Sequence, residues 1–219
     1  MDQSNGYETI SKNFMSLRSR SNIGVATVHD WTATLSPNGS VLDVGCGHGI
    51  PISGALIDQG FTVYGIDASP SMIAAFRFRF PNALVECCAV EDSQFFGRKF
   101  DGVIAWGLIF LLSPDVQANL IRKIALALRP GGGFLFTAPR QACEWSDNLT
   151  RQKSVSLGSD AYRKIINSEG LTLVDETEDE GQNHYYWVSK PSNVANKRDT
   201  ERADAPLVCL DVRQEMIYG

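Results

Sequence analysis

Three glycines at alternate positions, in Gly45-Cys46-Gly47-His48-Gly49, follow the apolar run Val41-Leu42-Asp43-Val44 and precede a helical pattern over residues 51–59. No other feature constrains the chain as strongly, because it demands a strand that turns abruptly into a helix. Glycine lets the backbone turn sharply and approach a ligand closely. The helix that follows offers unpaired N–H groups and a partial positive charge at its start. The spacing is G-x-G-x-G, with Ile50 where the dinucleotide pattern G-x-G-x-x-G has its third glycine. Taken alone, the run fits either a ligand-binding turn or an ordinary tight strand–helix loop.

The surrounding sequence alternates strand and helix. Apolar strand patterns cover residues 41–44, 62–66, 83–87, 102–106 and 134–137, with helical patterns at 51–59, 69–79 and 113–128 between them. Ser69-Pro70 and Ser113-Pro114 each place a capping residue before a proline in the first helical turn. Pro130-Gly131-Gly132-Gly133 reads as a helix stop. A further helix over 159–168 precedes two closing strands, 171–176 and 184–189, which form an antiparallel edge if they pair through Asp179-Glu180-Gly181. Such alternation with continuous apolar strands predicts an α/β fold with a parallel sheet covered by helices on both faces. Two helical stretches, 7–18 and 23–35, come first, and Ile10, Phe14 and Leu17 share one face of the earlier one. We therefore divide the chain into an N-terminal helical cap (1–36), a core (37–190) and a polar C-terminal tail (191–219). Within that tail, 193–204 is charged and poor in apolar residues, and 205–212 has the composition of a short strand or a docking segment.

Composition narrows the function. A net charge of −5 argues against a nucleic-acid partner. The five cysteines form no C-x-x-C pair, so reduced thiols, a cytoplasmic location and no metal centre are expected. The first residues have no apolar signal core, and the longest apolar run, 102–112, is shorter than the roughly 20 residues a spanning helix needs, so no membrane partner is expected.

Asp67 ends the second strand 22 residues after Gly45, where an acid accepts hydrogen bonds from ribose hydroxyls. With that residue in place, Val41–Gly49 resembles motif I of the class I S-adenosylmethionine (SAM)-dependent methyltransferases. The resemblance continues through Gly65-Ile66-Asp67-Ala68-Ser69, Phe100-Asp101-Gly102-Val103-Ile104 and Leu128-Arg129-Pro130-Gly131-Gly132-Gly133, in order, over residues 38–137. It implies a Rossmann-like, seven-stranded, mostly parallel sheet reaching to about residue 190, and SAM as the cofactor with S-adenosylhomocysteine as product. It further implies that Gly45, Cys46, Gly47 and Gly49 line the methionine and ribose portion and that Asp43 orders the loop beneath them. Asp67 would hold the ribose, with Ala68 and Ser69 along the adenine edge. Many relatives carry an acid where Ala89 stands, so adenine contact here falls to Val90 or Glu91, the latter reading equally as a surface acid. Trp106 stands where donor meets acceptor. Tyr7 and Arg18 would close over the sulfonium and carboxylate, or else belong to a plain amphipathic cover helix.

Methyl transfer from a sulfonium is an in-line displacement in which the protein mainly orients and desolvates, and a base is needed only for an acceptor that carries a proton. His184 and Tyr186 are the candidate acceptor-side catalytic residues, the alternative for His184 being an exposed strand end. Strand alternation puts Tyr185 on the opposite face. Phe110, Arg140, Trp145 and Tyr185 complete a candidate acceptor pocket of aromatic and cationic character, with loop packing the competing account of Trp145. Trp106-Gly107-Leu108-Ile109 lacks the Asn-Pro-Pro-Tyr pattern of amino-methylating DNA enzymes. A chain this short, without an added recognition module, favours a small-molecule N, O or S acceptor. Two other readings stand beside it: a SAM-binding partner protein without chemistry, and a nicotinamide-dependent reductase. The reductase rests on the Tyr186/Lys190 spacing, which falls in a strand-like segment. The oligomeric state is left open.

Overall fold

The computed structural model describes residues 3–192, so the readings for the tail at 193–219 lie outside the described residues. Two helices come first, α1 (Tyr7–Arg18) and α2 (Val25–Thr32). There follow β1 (Ser40–Val44), α3 (Ile52–Asp58), β2 (Thr62–Asp67), α4 (Pro70–Arg79), β3 (Leu84–Cys87) and β4 (Phe100–Ala105). Next are α5 (Pro114–Ala127), β5 (Leu128–Thr137), β6 (Cys143–Ser146), β7 (Lys153–Ser156), α6 (Ser159–Ser168), β8 (Thr172–Glu178) and β9 (His184–Ser189).

Seven strands form one sheet in the order β3-β2-β1-β4-β5-β9-β8. The pairs β3/β2, β2/β1, β1/β4 and β4/β5 are parallel, whereas β9 runs antiparallel to both β5 and β8. All five residues of β1 are buried, as expected of a parallel strand covered on both faces. The order reverses between β1 and β4, and in open α/β sheets ligands sit in the crevice outside the strand ends at such a switch point. Ser69 caps α4 by accepting a hydrogen bond from the Met72 N–H, with Pro70 at the first helical position.

One apolar cluster on each face locks the sheet. On the first, Trp31 of α2 and Leu35 of the turn after it lie against Gly102 and Gly133, which are register partners on β4 and β5. A Cβ on Gly102 would fall 2.6 Å from Leu35 and 2.9 Å from Trp31, and one on Gly133 would fall 2.9 Å from the Trp31 indole nitrogen. These glycines form a slot for the indole. The other face packs Phe134, Phe136 and Tyr186 against Ile121 and Ile124 of α5 and Tyr162 and Ile166 of α6.

The expected elements are present, with several different bounds. Helix α2 occupies only the middle of the stretch 23–35, because Gly24 with φ 88° begins it late. Pro130-Gly131-Gly132-Gly133 does not separate helix from strand. The helix stops at Ala127 and β5 begins at Leu128, opposite Phe100, with a register irregularity before Gly102 meets Gly133. The Arg129 guanidinium anchors this stretch on the Asp101 carboxylate at 2.5 Å, and Asp101 also accepts the Ser40 N–H. β8 runs to Glu178, beyond the expected end at 176, and β9 is interior to the sheet, so the antiparallel edge strand is β8 alone. The hairpin β6–β7 stands where a loop was expected. The four described cysteines, Cys46, Cys87, Cys88 and Cys143, are free thiols. Among the described residues no helix is long and apolar enough to cross a membrane.

The slot under Trp31 yields a stability prediction. Gly133→Val overfills it and should cost about 1–3 kcal/mol, while Trp31→Ala empties it and should cost about 3–5 kcal/mol. Urea unfolding measures both, and wild-type midpoints would show that α2 is not docked through this contact.

Candidate cofactor and acceptor site

The C-terminal ends of β1, β2 and β4, roofed by α1, enclose a cavity. Its floor is the glycine turn. The N–H groups of Gly45 and Cys46 both donate to the Ile66 carbonyl, at 2.8 and 3.0 Å, which fastens the turn to the end of β2. Gly47 adopts φ 53°, and a Cβ there would meet only Met72 Sδ, at 3.9 Å. Both conformation and bare surface therefore favour glycine at this position.

Asp67 holds the turn together. One carboxylate oxygen accepts the Gly47 N–H and the other the Ser69 N–H, each at 2.8 Å. Burial pushes its carboxyl up from the ordinary value, and those two N–H groups pull the other way. A carboxylate offers about four acceptor directions, so acceptor capacity remains on the cavity side. Asp43 lies under the turn, buried, and accepts the Ser53 hydroxyl at 2.5 Å. Burial raises its pKa to about 7 against that hydrogen bond. Burial also pushes the Cys46 thiol up, which keeps it protonated.

The roof carries Tyr7, Phe14 and Arg18 into the cavity. It is fastened by Glu8, whose carboxylate accepts the Ser69 hydroxyl at 2.5 Å, the Ser71 N–H at 3.1 Å and the Ser71 hydroxyl at 2.6 Å. An acid at the start of α4 is also favoured by the helix dipole. His48, inside the glycine turn, lies 3.1 Å from the Ser19 hydroxyl through Nε2. Burial and the charges of Arg79 and Arg18 lower its pKa to about 4, so it is neutral near pH 7.

A third wall joins β4 to the β8–β9 hairpin. The Trp106 indole N–H donates to the Tyr185 hydroxyl oxygen at 2.6 Å, and that hydroxyl donates to Asp179 at 2.7 Å. The Arg18 guanidinium stacks on Trp106 at 4.0 Å from the ring centroid. Gly24 sits against this pair; a Cβ there would fall 2.6 Å from the Tyr185 hydroxyl. Among the described residues Arg18 Nη2 is buried without a hydrogen-bond partner, a costly state for a guanidinium N–H that a bound anion would relieve. The turn after β4 is set by Thr137, whose hydroxyl oxygen accepts the Gly107 N–H at 2.8 Å.

Of the residues singled out from sequence, Asp43, Gly45, Cys46, Gly47, Asp67, Ala68, Val90, Glu91, Trp106, Tyr7, Arg18 and Phe110 line this one cavity. The others lie elsewhere. Gly49 packs under Phe76 and Phe80, and Ser69 is fully buried as a helix cap. Trp145 stacks beside Phe110 with ring centroids 5.4 Å apart, and Tyr185 stands behind Trp106. His184 and Tyr186 face the opposite side of the sheet. His184 Nε2 lies 2.9 Å from Glu176, and Tyr186 stacks on Phe136 at 4.6 Å. With Arg140, Arg163 and Glu178, His184 lines a separate shallow concavity. The alternation along β9 was legible, but which face looked toward the cavity was not, because the neighbouring strand decides it. Sequence reasoning missed Glu8, Asp147 and Asn183. Asp147 was within reach, since Asp147-Asn148 is a turn signal between two short alternating runs.

Fold and site together define a Rossmann-like α/β protein with a roofed cleft at its switch point. Residues 41–132 match the methyltransferase-domain family. An uncharacterized methyltransferase of Synechocystis is 30% identical over 111 residues, covering 51% of this chain and 52% of that protein. An 18S rRNA (guanine-N(7))-methyltransferase of Schizosaccharomyces pombe is 29% identical over 159 residues, covering 68% and 55%. The chain thus spans about half the length of these curated relatives. Among solved structures, the CcbJ methyltransferase of Streptomyces caelestis superimposes with a TM-score of 0.68 at 15% identity, covering 88% of this chain and 98% of that one. The 1,6-didemethyltoxoflavin-N1-methyltransferase of Burkholderia thailandensis gives 0.66 at 18% identity, covering 87% and 91%. The chain is thus similar to the SAM-dependent methyltransferases over residues 41–132 and shares the fold of the superimposed enzymes.

Two outcomes follow from this geometry. The raised pKa of Asp43 means that the folded chain holds a proton which the unfolded chain releases above about pH 4. Its contribution therefore disfavours folding increasingly from about pH 4 to pH 7. Asp43→Asn should accordingly gain stability relative to wild type over that window, by roughly 4 kcal/mol at most. Parallel unfolding midpoints at pH 5 and pH 8 test this, and a gap that does not widen with pH refutes it. Tyr185→Phe strands the Trp106 N–H, while the Asp179 oxygen keeps the Asn183 amide as donor, and should cost about 1–3 kcal/mol by thermal unfolding; an unchanged midpoint would show that the pair is dispensable.

Proposed function

We propose that this protein transfers the methyl group of SAM to a small-molecule N, O or S acceptor by in-line displacement. The observation that carries the reading is Asp67, half-buried at the switch point, pinned to the glycine turn, and still holding acceptor capacity toward the cavity. The bare Gly47 surface and Arg18 Nη2, unpartnered among the described residues, fit the same cofactor. Asp67 takes the ribose hydroxyls. Gly45 and Gly47 let the backbone come close to the cofactor, and Asp43, ionised as a cation arrives, compensates its amino group. Arg18 holds the carboxylate end. Ala68, Ala89, Val90 and Glu91 border the adenine. When bound, the cofactor supplies a methyl group made electrophilic by sulfonium. The chain's own residues orient the two reactants and exclude water: α1 closes the cavity from above, and Trp106 forms its wall where donor and acceptor meet.

A small acceptor is supported by the roofed, aromatic cavity and by the net charge of −5. Residues 7–36 act as a cap on the core at 37–190, and the free thiols suit a reducing cytoplasm. His184 and Tyr186 are not carried into the acceptor site, since they lie on the other face of the sheet. The related rRNA methyltransferase keeps an RNA acceptor as the competing reading.

Calorimetry with SAM and S-adenosylhomocysteine tests the cofactor assignment. Asp67→Ala should weaken both by about 1–3 kcal/mol, and unchanged affinity would sink it. Incubation of methyl-labelled SAM with a metabolite extract and, separately, with total RNA tests the acceptor. Label is expected in small molecules; label in RNA alone would reverse the reading, and tight binding with no transfer would leave a binding protein.

A further inference from the structure

The acceptor half of the cavity contains a carboxylate that the cofactor reading does not use. Asp147, in the turn between β6 and β7, lines the cavity with only 8% of its surface exposed. One of its oxygens is consumed by the turn, accepting the Leu149 N–H at 2.9 Å, the Thr150 N–H at 2.7 Å and the Thr150 hydroxyl at 3.1 Å. The other accepts, among the described residues, only the Tyr7 hydroxyl at 3.4 Å, beyond the roughly 3.0 Å of a good O–H···O bond. No described Lys, Arg or His forms an ion pair with Asp147. A buried carboxylate oxygen this poorly satisfied is costly unless something else pairs with it. Around it the cavity is lined by Tyr7, Phe14 and Phe110, with Tyr7 and Phe14 edge to face at 5.1 Å. Burial and the charge of Asp147 push the Tyr7 phenol up, so it stays a neutral donor.

An acid framed by aromatic faces favours a positive charge and repels a negative one. This discriminates between the acceptor classes left open above. A phenol, carboxylic acid or thiol attacks best as an anion, which would have to sit beside the Asp147 carboxylate. An amine attacks as the neutral base and becomes positive. We propose that the acceptor is an amine, seated with its nitrogen at the free oxygen of Asp147 and its carbon frame against Tyr7, Phe14 and Phe110. An amine that arrives protonated first loses that proton to solvent; its lone pair then forms the N–C bond as the C–S bond breaks, and the electron pair of that bond goes to sulfur to give a thioether. Positive charge thus passes from sulfur to nitrogen, toward Asp147, where a fixed carboxylate stabilises it as it develops. The methylated ammonium then releases a proton to solvent if it carries one. Asp147 serves as orienting and charge-compensating residue.

This inference rests on the methyltransferase reading, and the test separates the two. The full chain saturated with S-adenosylhomocysteine is titrated with benzylamine, benzyl alcohol, phenol and benzoate in a calorimeter. Benzylamine should bind at least tenfold more tightly than phenol or benzoate. Asp147→Asn keeps an oxygen for the turn but removes the charge; it should abolish that preference while S-adenosylhomocysteine affinity stays within about twofold. Tyr7→Phe leaves the carboxylate in place and should retain the preference. Equal or tighter binding of benzoate or phenol, no binding of the amine, a preference that survives Asp147→Asn, or one lost in Tyr7→Phe would each overturn the amine assignment. So would recovery of the label from methyl-labelled SAM on oxygen or sulfur in a mixed acceptor pool. Failure of wild type to bind S-adenosylhomocysteine would strike the methyltransferase reading instead.

Discussion

The Asp67 carboxylate ties three parts of the molecule to one point. Its two oxygens hold the Gly47 N–H of the turn after β1 and the Ser69 N–H at the start of α4. Ser69 in turn donates to Glu8 on α1. The glycine turn, the end of β2, the cap of α4 and the roof therefore form one hydrogen-bonded series, in which each acceptor is an acid and each donor is backbone N–H or serine hydroxyl. Charge-assisted bonds of this kind are short and directional, so they fix the depth of the cavity as well as its floor. The cost is a carboxyl buried enough to be pushed up in pKa, and a ligand that supplies hydroxyl donors reduces that cost.

Strand β9 divides the molecule by a one-residue alternation. Tyr185 points toward Trp106 and Asp179, and through Trp106 meets Arg18 of the roof. Its neighbours His184 and Tyr186 point away, into a network with Ser159, Glu176 and Arg163 that fastens α6 to the sheet edge. Adjacent residues of similar chemistry thus serve different ends because side-chain direction in a strand has a period of two. The cluster Phe134, Phe136, Tyr162 and Tyr186 is aromatic packing and holds the far side rigid behind the site.

The family match also has a structural reading. It covers residues 41–132, which hold β1 to α5 and the start of β5, the elements that bear the glycine turn and Asp67. Outside that span the cavity is completed by α1, by the turn of the β6–β7 hairpin and by the loop before β9. The similar proteins are all methyltransferases, while those with a named substrate differ, one being an 18S rRNA enzyme and another a 1,6-didemethyltoxoflavin enzyme.

The sequence alone determined what depends on neighbours along the chain. The glycine turn, the acid 22 residues beyond it, the serine–proline helix starts and the apolar strands are local patterns, and each stands in the structure near its expected place. The glycine turn and Asp67 were legible for that reason, since they lie at strand ends whose order follows from the alternation. Tertiary structure decided which face of β9 meets the cavity, that Gly102 and Gly133 make room for Trp31, and that Glu8 latches the roof to α4. It also brought Asp147 to within 3.4 Å of Tyr7 across 140 residues of sequence. Such contacts carry no local signature, because the partner that gives each residue its meaning arrives only when the sheet has closed and the roof has packed down on it.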